Sequence, residues 1–278
     1  MSGQFPCPAT DASTPPPGRC ARFEAPAHWQ AIDFISDLHL DAGHPRTVAA
    51  WTDYMDRTPA DAVLVLGDLF EAWVGDDARH QPFESHCVDT LARAGQRLWL
   101  GLMVGNRDFL MGPDLMQACH ARALPDPLVL SAFGHAHLLT HGDAWCLDDA
   151  PYLQFRTQVR SAAWQAAFLA RPLTDRLITA RNLRDTSEAR KQGQATTDWA
   201  DVDPTCAARW MQDLGVHSLI HGHTHRPASE PFGPAGGQRH VLADWDLDGP
   251  APRAQVLRLS AQGLRRLSLA QALSAPAT

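Results

Sequence analysis

Five short, mostly apolar runs punctuate the chain, at residues 31–35, 62–66, 98–104, 137–140 and 218–220, and a polar cluster cuts off each one. Runs this short and this rich in Val, Leu and Ile read as strands buried on both faces. Between the first three, residues 48–55 and 84–94 carry apolar side chains at helical spacing. Strands alternating with helices predict an α/β core, in which binding sites form beyond the C-terminal ends of the strands. Residues 255–259 and 264–269 look like antiparallel strands, so the fold class expected is mixed α/β with a pair of mixed sheets. From about residue 150 to 214 the rhythm breaks. Phe155, Val159, Trp164, Phe168, Leu173 and Leu177 recur at roughly helical intervals there, which predicts a helical lid inserted over the strand ends.

The ends differ from this middle. Residues 1–28 include Ser13-Thr14-Pro15-Pro16-Pro17-Gly18 and little periodic apolar character, so they are expected to be a disordered extension. Residues 29–270 are expected to form one domain around the lid, and 271–278 a loose, Ala-rich tail. A chain of 278 residues can bury a proper core. The net charge of −7 argues against generic nucleic-acid binding. No apolar run reaches the length of a membrane-spanning helix, and the N-terminus lacks a secretory pattern. The six cysteines fall at no zinc-like spacing, and free thiols in a reducing cytosol are expected, with disulfides as the lesser alternative. Within the lid, seven arginines and Lys191, the only lysine, stand against Asp175, Asp185 and Glu188 between Tyr152 and Gln192. That balance suits an anionic substrate or a membrane surface, or equally a solvated helix face.

The polar clusters carry the chemistry. They read Ser36-Asp37-Leu38-His39, Gly67-Asp68, Gly105-Asn106-Arg107-Asp108, His141-Gly142-Asp143 and Gly222-His223-Thr224-His225. Asp37 and His39 are two residues apart in a chain leaving a strand, which projects both to one side. Asp68 offers a carboxylate able to bridge two cations, Asn106 a neutral amide oxygen, and His141, His223 and His225 imidazole nitrogens. Oxygen and nitrogen donors without thiolate suit Mn²⁺, Fe²⁺ or Zn²⁺ in a catalytic rather than structural site. Each residue has an ordinary alternative as helix cap, turn residue or satisfied core histidine. Five such coincidences at five strand ends are a poorer explanation than one site. Two cations about 4 Å apart lower the pKa of a shared water and neutralise phosphoryl oxygens. Arg107 is placed for a bidentate phosphate contact, and Asp108 and Asp143 to orient a loop or a histidine. Hydrolysis of a phosphoester or phosphoanhydride is the natural reaction class.

These blocks resemble the calcineurin-like metallophosphoesterases. The segments Phe34-Ile35-Ser36-Asp37-Leu38-His39-Leu40, Gly67-Asp68-Leu69-Phe70-Glu71-Ala72-Trp73, Gly105-Asn106-Arg107-Asp108-Phe109-Leu110 and His221-Gly222-His223-Thr224-His225-Arg226-Pro227 are similar to those of the UDP-2,3-diacylglucosamine diphosphatases of lipid A biosynthesis. In general members of the superfamily the position of Arg107 is usually histidine. The resemblance implies two facing mixed sheets flanked by helices, a helical lid and two Mn²⁺ ions. It implies one ion on Asp37, His39, Asp68 and His225, and the other on Asp68, Asn106, His141 and His223. Asp68, Asn106 and Arg107 would be catalytic, with Asn106, Arg107, Asp149, Tyr152, Arg184, Ser187, Lys191 and His223 binding substrate. The implied reaction is attack of water at the α-phosphorus of UDP-2,3-diacylglucosamine, giving UMP and 2,3-diacylglucosamine 1-phosphate. The implied setting is a monomer held peripherally at the cytoplasmic face of the inner membrane, with no nucleic-acid partner. Trp164, Phe168, Leu169 and Leu173 could meet acyl chains, though most of them are expected in the core. Two stretches depart from the family wording. Residues 192–202 run one residue longer, so Lys191 and Gln194 both stand for the lid's basic position, and Ala243-Asp244-Trp245 replaces Gly-Asp-Trp. Another nucleotide diphosphate or phosphodiester as substrate, and a non-catalytic scaffold, are the alternative readings.

Overall fold

A computed structural model describes residues 20–192, 200–233 and 236–274, with residues 186–192 by backbone alone. Strands β2 (Ala31–Ile35), β3 (Ala62–Leu66) and β4 (Trp99–Met103) pair in parallel, with helices α1 (Pro45–Arg57) and α2 (Pro82–Arg97) as crossovers. β5 (Arg122–Leu124) extends this sheet on one side, after the short helix α3 (Pro113–Ala118). On the other side β11 (Gln255–Ser260) and β12 (Gly263–Ser268) complete the order β12-β11-β2-β3-β4-β5. The second sheet runs β1-β6-β7-β8-β10-β9, from β1 (Ala21–Glu24), β6 (Leu128–Ala132), β7 (His135–Thr140), β8 (Ser218–His221), β9 (Ala228–Phe232) and β10 (Gly237–Val241).

The apolar runs are continuous because both faces of each central strand are covered. Phe34, Leu64, Met103, Leu139, Ile220 and Leu257 meet between the sheets. Ile35, Val63, Val65 and Leu102 face the other way, onto Trp51, Tyr54 and Leu91 of α1 and α2. Each such side chain contributes about 1.5–3 kcal/mol on full burial. One polar residue interrupts β2. Asp33 is fully buried, and both its oxygens accept from Arg258 (2.6 and 2.8 Å), with Tyr54 and Thr58 adding hydroxyl donors at 2.8 and 3.0 Å.

The insertion holds α4 (Ala150–Val159), α5 (Ala162–Leu169) and α6 (Leu173–Gln192). Leu173, Leu177 and Ala180 of α6 pack on the core, and the buried Arg176 donates to Asp77 Oδ1 at 2.9 Å, which seats the lid. The lid boundary needs correction, because α7 (Pro204–Leu214) belongs to the core. Asp203 caps it through the Cys206 N–H (2.6 Å), and Cys206, Ala207, Trp210 and Met211 cover the second sheet.

The ends need correction as well. Residues 21–24 lie within the expected disordered extension yet form β1, in register with Leu128–Ser131 of β6, and Phe23 stacks on Trp99 at 4.7 Å. Residues 1–19 lie outside the described residues. The expected loose tail begins inside α8 (Leu269–Ser274), which buries Ala272 and whose Ala272 carbonyl accepts from Arg258 at 2.9 Å. Cys20, Cys87, Cys119 and Cys146 are free thiols, whereas Cys206 is disulfide-bonded, the lesser alternative.

Candidate metal centre

All five clusters leave the C-terminal ends of parallel strands. Those after β2, β3 and β4 come from one sheet and those after β7 and β8 from the other, so the loops meet where the two sheets face each other. The turns are tight. Asp37, His39, Asp68, His223 and His225 all have positive φ, between 46° and 67°. Left-handed backbone costs a side-chain-bearing residue about 1–2 kcal/mol, and its concentration at five donors marks a site where geometry outranks local stability. Two glycines make room for the convergence. A Cβ on Gly105 would lie 2.1 Å from Asp68 Oδ1, and one on Gly222 would lie 2.4 Å from Asp37 Oδ2.

Donor atoms of Asp37, His39 and His225 lie within 4.8 Å of one another, and so do those of Asp37, Asp68 and His141. The two oxygens of Asp68 look opposite ways, Oδ2 toward His39 Nε2 (3.8 Å) and Oδ1 toward His141 Nε2 (3.7 Å). Asn106 Oδ1 lies 3.0 Å from His141 Nε2 and 2.9 Å from His223 Nδ1. Asp37 thus belongs to both donor groups, and Asp68 reaches a histidine on either side through its two oxygens.

The proton inventory tests whether cations fit. His141 Nδ1 lies 2.9 Å from the Leu66 carbonyl oxygen, which only accepts, so Nδ1 carries the proton. Nε2 then faces the oxygens of Asn106 and Asp68, so positive charge is needed on that edge of the ring, supplied by a second ring proton or by a bound cation. His39 Nδ1 sits 3.2 Å from Glu71 Oε2 and His225 Nδ1 3.5 Å from Asp244 Oδ2, which leaves their Nε2 atoms facing each other at 3.3 Å. The electrostatics agree. Burial opposes charge on His141, yet Asp68, Asp143 and Asp37 outweigh it and raise the imidazole to about 9. Burial, and then His141, lower His223 to about 4. Burial favours a neutral Asp37, but His225, His141 and His39 hold it well below the usual carboxylate range. The donor set suits divalent cations.

Around these donors the structure assigns supporting roles. Asp108 accepts from Gly105 N (2.7 Å) and Leu69 N (2.8 Å), stitching together the loops after β3 and β4. Asp143 takes Arg156 Nε at 2.8 Å and the Tyr152 hydroxyl. The Tyr152 ring in turn stacks on His223, 6.0 Å between centroids. Asp149 Oδ1 caps α4 by accepting from Tyr152 N at 3.1 Å. Arg107 NH1 and Arg184 Nε converge on Glu71 Oε1, at 3.4 and 3.3 Å, so core and lid meet on one carboxylate. The side chains of Ser187, Lys191 and Gln194 lie outside the described residues.

Sequence reasoning missed Glu71, 13% exposed and lowered to about 2: burial would raise it, but His39, Arg107 and Arg184 prevail. Its one signal is its place three residues after Asp68. Arg160 was also missed; it donates to the Gly105 carbonyl at 2.9 Å and so holds the Asn106 loop from the lid side. Between its helices the lid forms an open cavity of about 370 Å³ lined by Phe155, Val159, Trp164, Phe168 and Leu183 among others, the last of these next in sequence to Arg184. Of the four residues considered for acyl contact, Trp164 and Phe168 line this cavity, Leu173 packs on the core, and Leu169 is exposed.

The sequence model of the calcineurin-like phosphoesterases matches residues 31–227, more than half of the chain. A protein of Ralstonia nicotianae named UDP-2,3-diacylglucosamine hydrolase is 43% identical over 243 residues, covering 82% of this chain and 88% of the relative. Proteins of the same name from Xanthomonas oryzae pv. oryzae and Bordetella pertussis are 42% and 38% identical, covering 83% and 85% of this chain and 96% and 94% of theirs.

Proposed function

The chain belongs to the calcineurin-like phosphoesterases, and on that footing we propose that it hydrolyses the diphosphate of UDP-2,3-diacylglucosamine, releasing UMP and 2,3-diacylglucosamine 1-phosphate with two Mn²⁺ ions. The observation that carries the substrate assignment is an apolar cavity in the same lid whose Arg184 meets Arg107 on Glu71, next to His39 of the donor cluster. A diphosphate suits the two arginines, acyl chains suit the cavity, and relatives bearing the hydrolase name match over most of the chain.

Asp37, His39, Asp68, Asn106, His141, His223 and His225 would hold the ions, and their bound charge would supply Lewis-acid stabilisation and an activated water. The chain's own residues do the rest. Arg107 presents a planar fork of donors and Arg184 a second one from the lid, and both exchange Glu71 for phosphoryl oxygens as an anion arrives. Tyr152 fixes the plane of His223, and the Asp143–Arg156 pair fixes Tyr152. The lid excludes water from the reacting diphosphate, which strengthens each of these contacts.

Among the described residues no helix is long and apolar enough to cross a membrane. Among the described residues the exposed large apolar side chains, Phe155, Leu169, Ile178 and Leu183, lie on the lid, with the exposed Arg171 and Arg181 nearby in sequence. A monomer resting lid-first on the cytoplasmic face of the inner membrane accounts for that surface, each basic residue adding about 1 kcal/mol near anionic lipid. Purified protein with Mn²⁺ and the lipid substrate is expected to release UMP, and His39→Ala or Asp68→Ala to abolish release. Faster turnover of a soluble nucleotide diphosphate or diester than of the lipid would overturn the substrate. Failure to bind any divalent ion in calorimetry would overturn catalysis altogether.

A further inference from the structure

Asp201 stands where the chain returns from the lid toward α7, and its carboxylate reaches both flanks of the loop carrying His223 and His225. On one flank it pairs with Arg239 of β10, which is nearly buried and whose Nε donates to His221 Nε2 at 2.9 Å. On the other, its Oδ2 lies 3.6 Å from Arg226 NH1, on the residue that follows His225. An arginine N–H only donates, so His221 Nε2 is the acceptor and the ring proton sits on Nδ1. That proton points at the Gly222 carbonyl oxygen, 2.8 Å away. His221 is fully buried and also abuts the other histidine loop: a Cβ on Gly142 would come within 3.2 Å of His221 Nδ1. The imidazole is thus wedged between the loops bearing His141 and His223, and none of the chemistry above uses it.

We propose that Asp201 is a positioning residue: acting through Arg239 and His221 on one side and Arg226 on the other, it lets the base of the lid set the orientation of the Gly222–His225 loop. This rests on the reading that the loop's histidines hold a divalent ion. The fork geometry is specific, because Arg239 uses Nε for His221 and NH2 for Asp201, while NH1 lies 3.5 Å from Glu230 on the exposed strand β9. Glu230 therefore provides an internal control. It touches the same guanidinium and lies outside the path from Asp201 to the loop.

The test is calorimetric titration of the full chain with Mn²⁺ alone, paired with imidazole ¹⁵N NMR of His221. Asp201→Ala is expected to weaken Mn²⁺ binding tenfold or more, the usual scale for groups that orient metal ligands. Asp201→Glu recovers part of that loss, and Glu230→Gln leaves binding unchanged. Arg239→Lys, which keeps the charge and loses the Nε donor, shifts the His221 proton from Nδ1 toward Nε2. Mn²⁺ affinity within twofold of wild type in a folded Asp201→Ala protein overturns the proposal. Should that variant not fold, Asp201→Asn decides by the same two readouts. A wild-type chain that binds no Mn²⁺ refutes the reading of the metal centre instead. In that case an unchanged His221 tautomer in both Asp201→Asn and Arg239→Lys overturns the positioning role independently.

Discussion

Gly105→Ala is a small change that strikes the centre without replacing a donor residue. The new methyl would sit 2.1 Å from Asp68 Oδ1, 2.4 Å from Asp68 N and 2.8 Å from Asp68 Cγ, where ordinary contact begins at 3.4 Å. Because one of these atoms is backbone, rotating the Asp68 side chain cannot relieve the overlap; a loop must shift by about 1 Å. Asp68 also accepts the Arg107 N–H at 2.8 Å and faces both His39 and His141, so its displacement disturbs both halves of the donor set. Misplacement on the order of 1 Å costs about 10²-fold in rate. Overpacking of this kind destabilises by about 1–3 kcal/mol, and each kcal/mol lowers Tm by about 2–4 °C in a domain of 150–250 residues. The expected protein is folded, melts a few degrees low, and retains on the order of 1% of wild-type UMP release. Calorimetry, thermal unfolding and product assay on one preparation separate these effects. A Gly105→Ala protein with more than half of wild-type turnover would refute the claim that the Gly105–Asp68 approach is required.

Glu71→Gln removes the charge that orients His39 and gathers Arg107 and Arg184, and divalent-ion affinity is expected to fall about 10–100-fold in calorimetry. An unchanged affinity would make Glu71 a bystander. Ala167→Trp, at the lid cavity, is expected to raise KM for a long-chain lipid substrate while leaving a short-chain analogue unaffected, and equal effects on both would contradict acyl binding there. His137 is held down at about 4, first by burial and then by His135 and His240, from an ordinary 6.5. Between those values the unfolded chain takes up a proton that the fold refuses, so stability falls as pH drops from about 6.5 toward 4, by about 1.4 kcal/mol per pH unit. His137→Gln should lose that share of the slope in urea unfolding at pH 7 and pH 4.5; identical slopes in the two proteins would remove His137 as the cause.

What was legible in the sequence was local. The strands β2, β3 and β4 announce themselves because burial on both faces forces unbroken apolar runs, and the donor clusters because each sits within a few residues of a strand end. What was not legible depends on distant partners. β1 carries Arg22 and Glu24 on a sheet edge and shows no apolar run; pairing with β6 and the Phe23–Trp99 stack define it. α8 is a single buried alanine and a carbonyl on Arg258, invisible without β11. α7 reads like another lid helix until Trp210 and Met211 are seen against the second sheet. Glu71 meets His39, Arg107 and Arg184 from three remote segments, and a lone glutamate in sequence carries no sign of that.

Mass analysis of UMP formed from the lipid substrate with Mn²⁺ in ¹⁸O-labelled water joins the donor cluster, the two arginines and the lid in one experiment. Hydrolysis at the α-phosphorus predicts one labelled oxygen in UMP and none in the sugar phosphate. Label in the sugar phosphate instead would place the attack on the other phosphorus and contradict the proposed reaction.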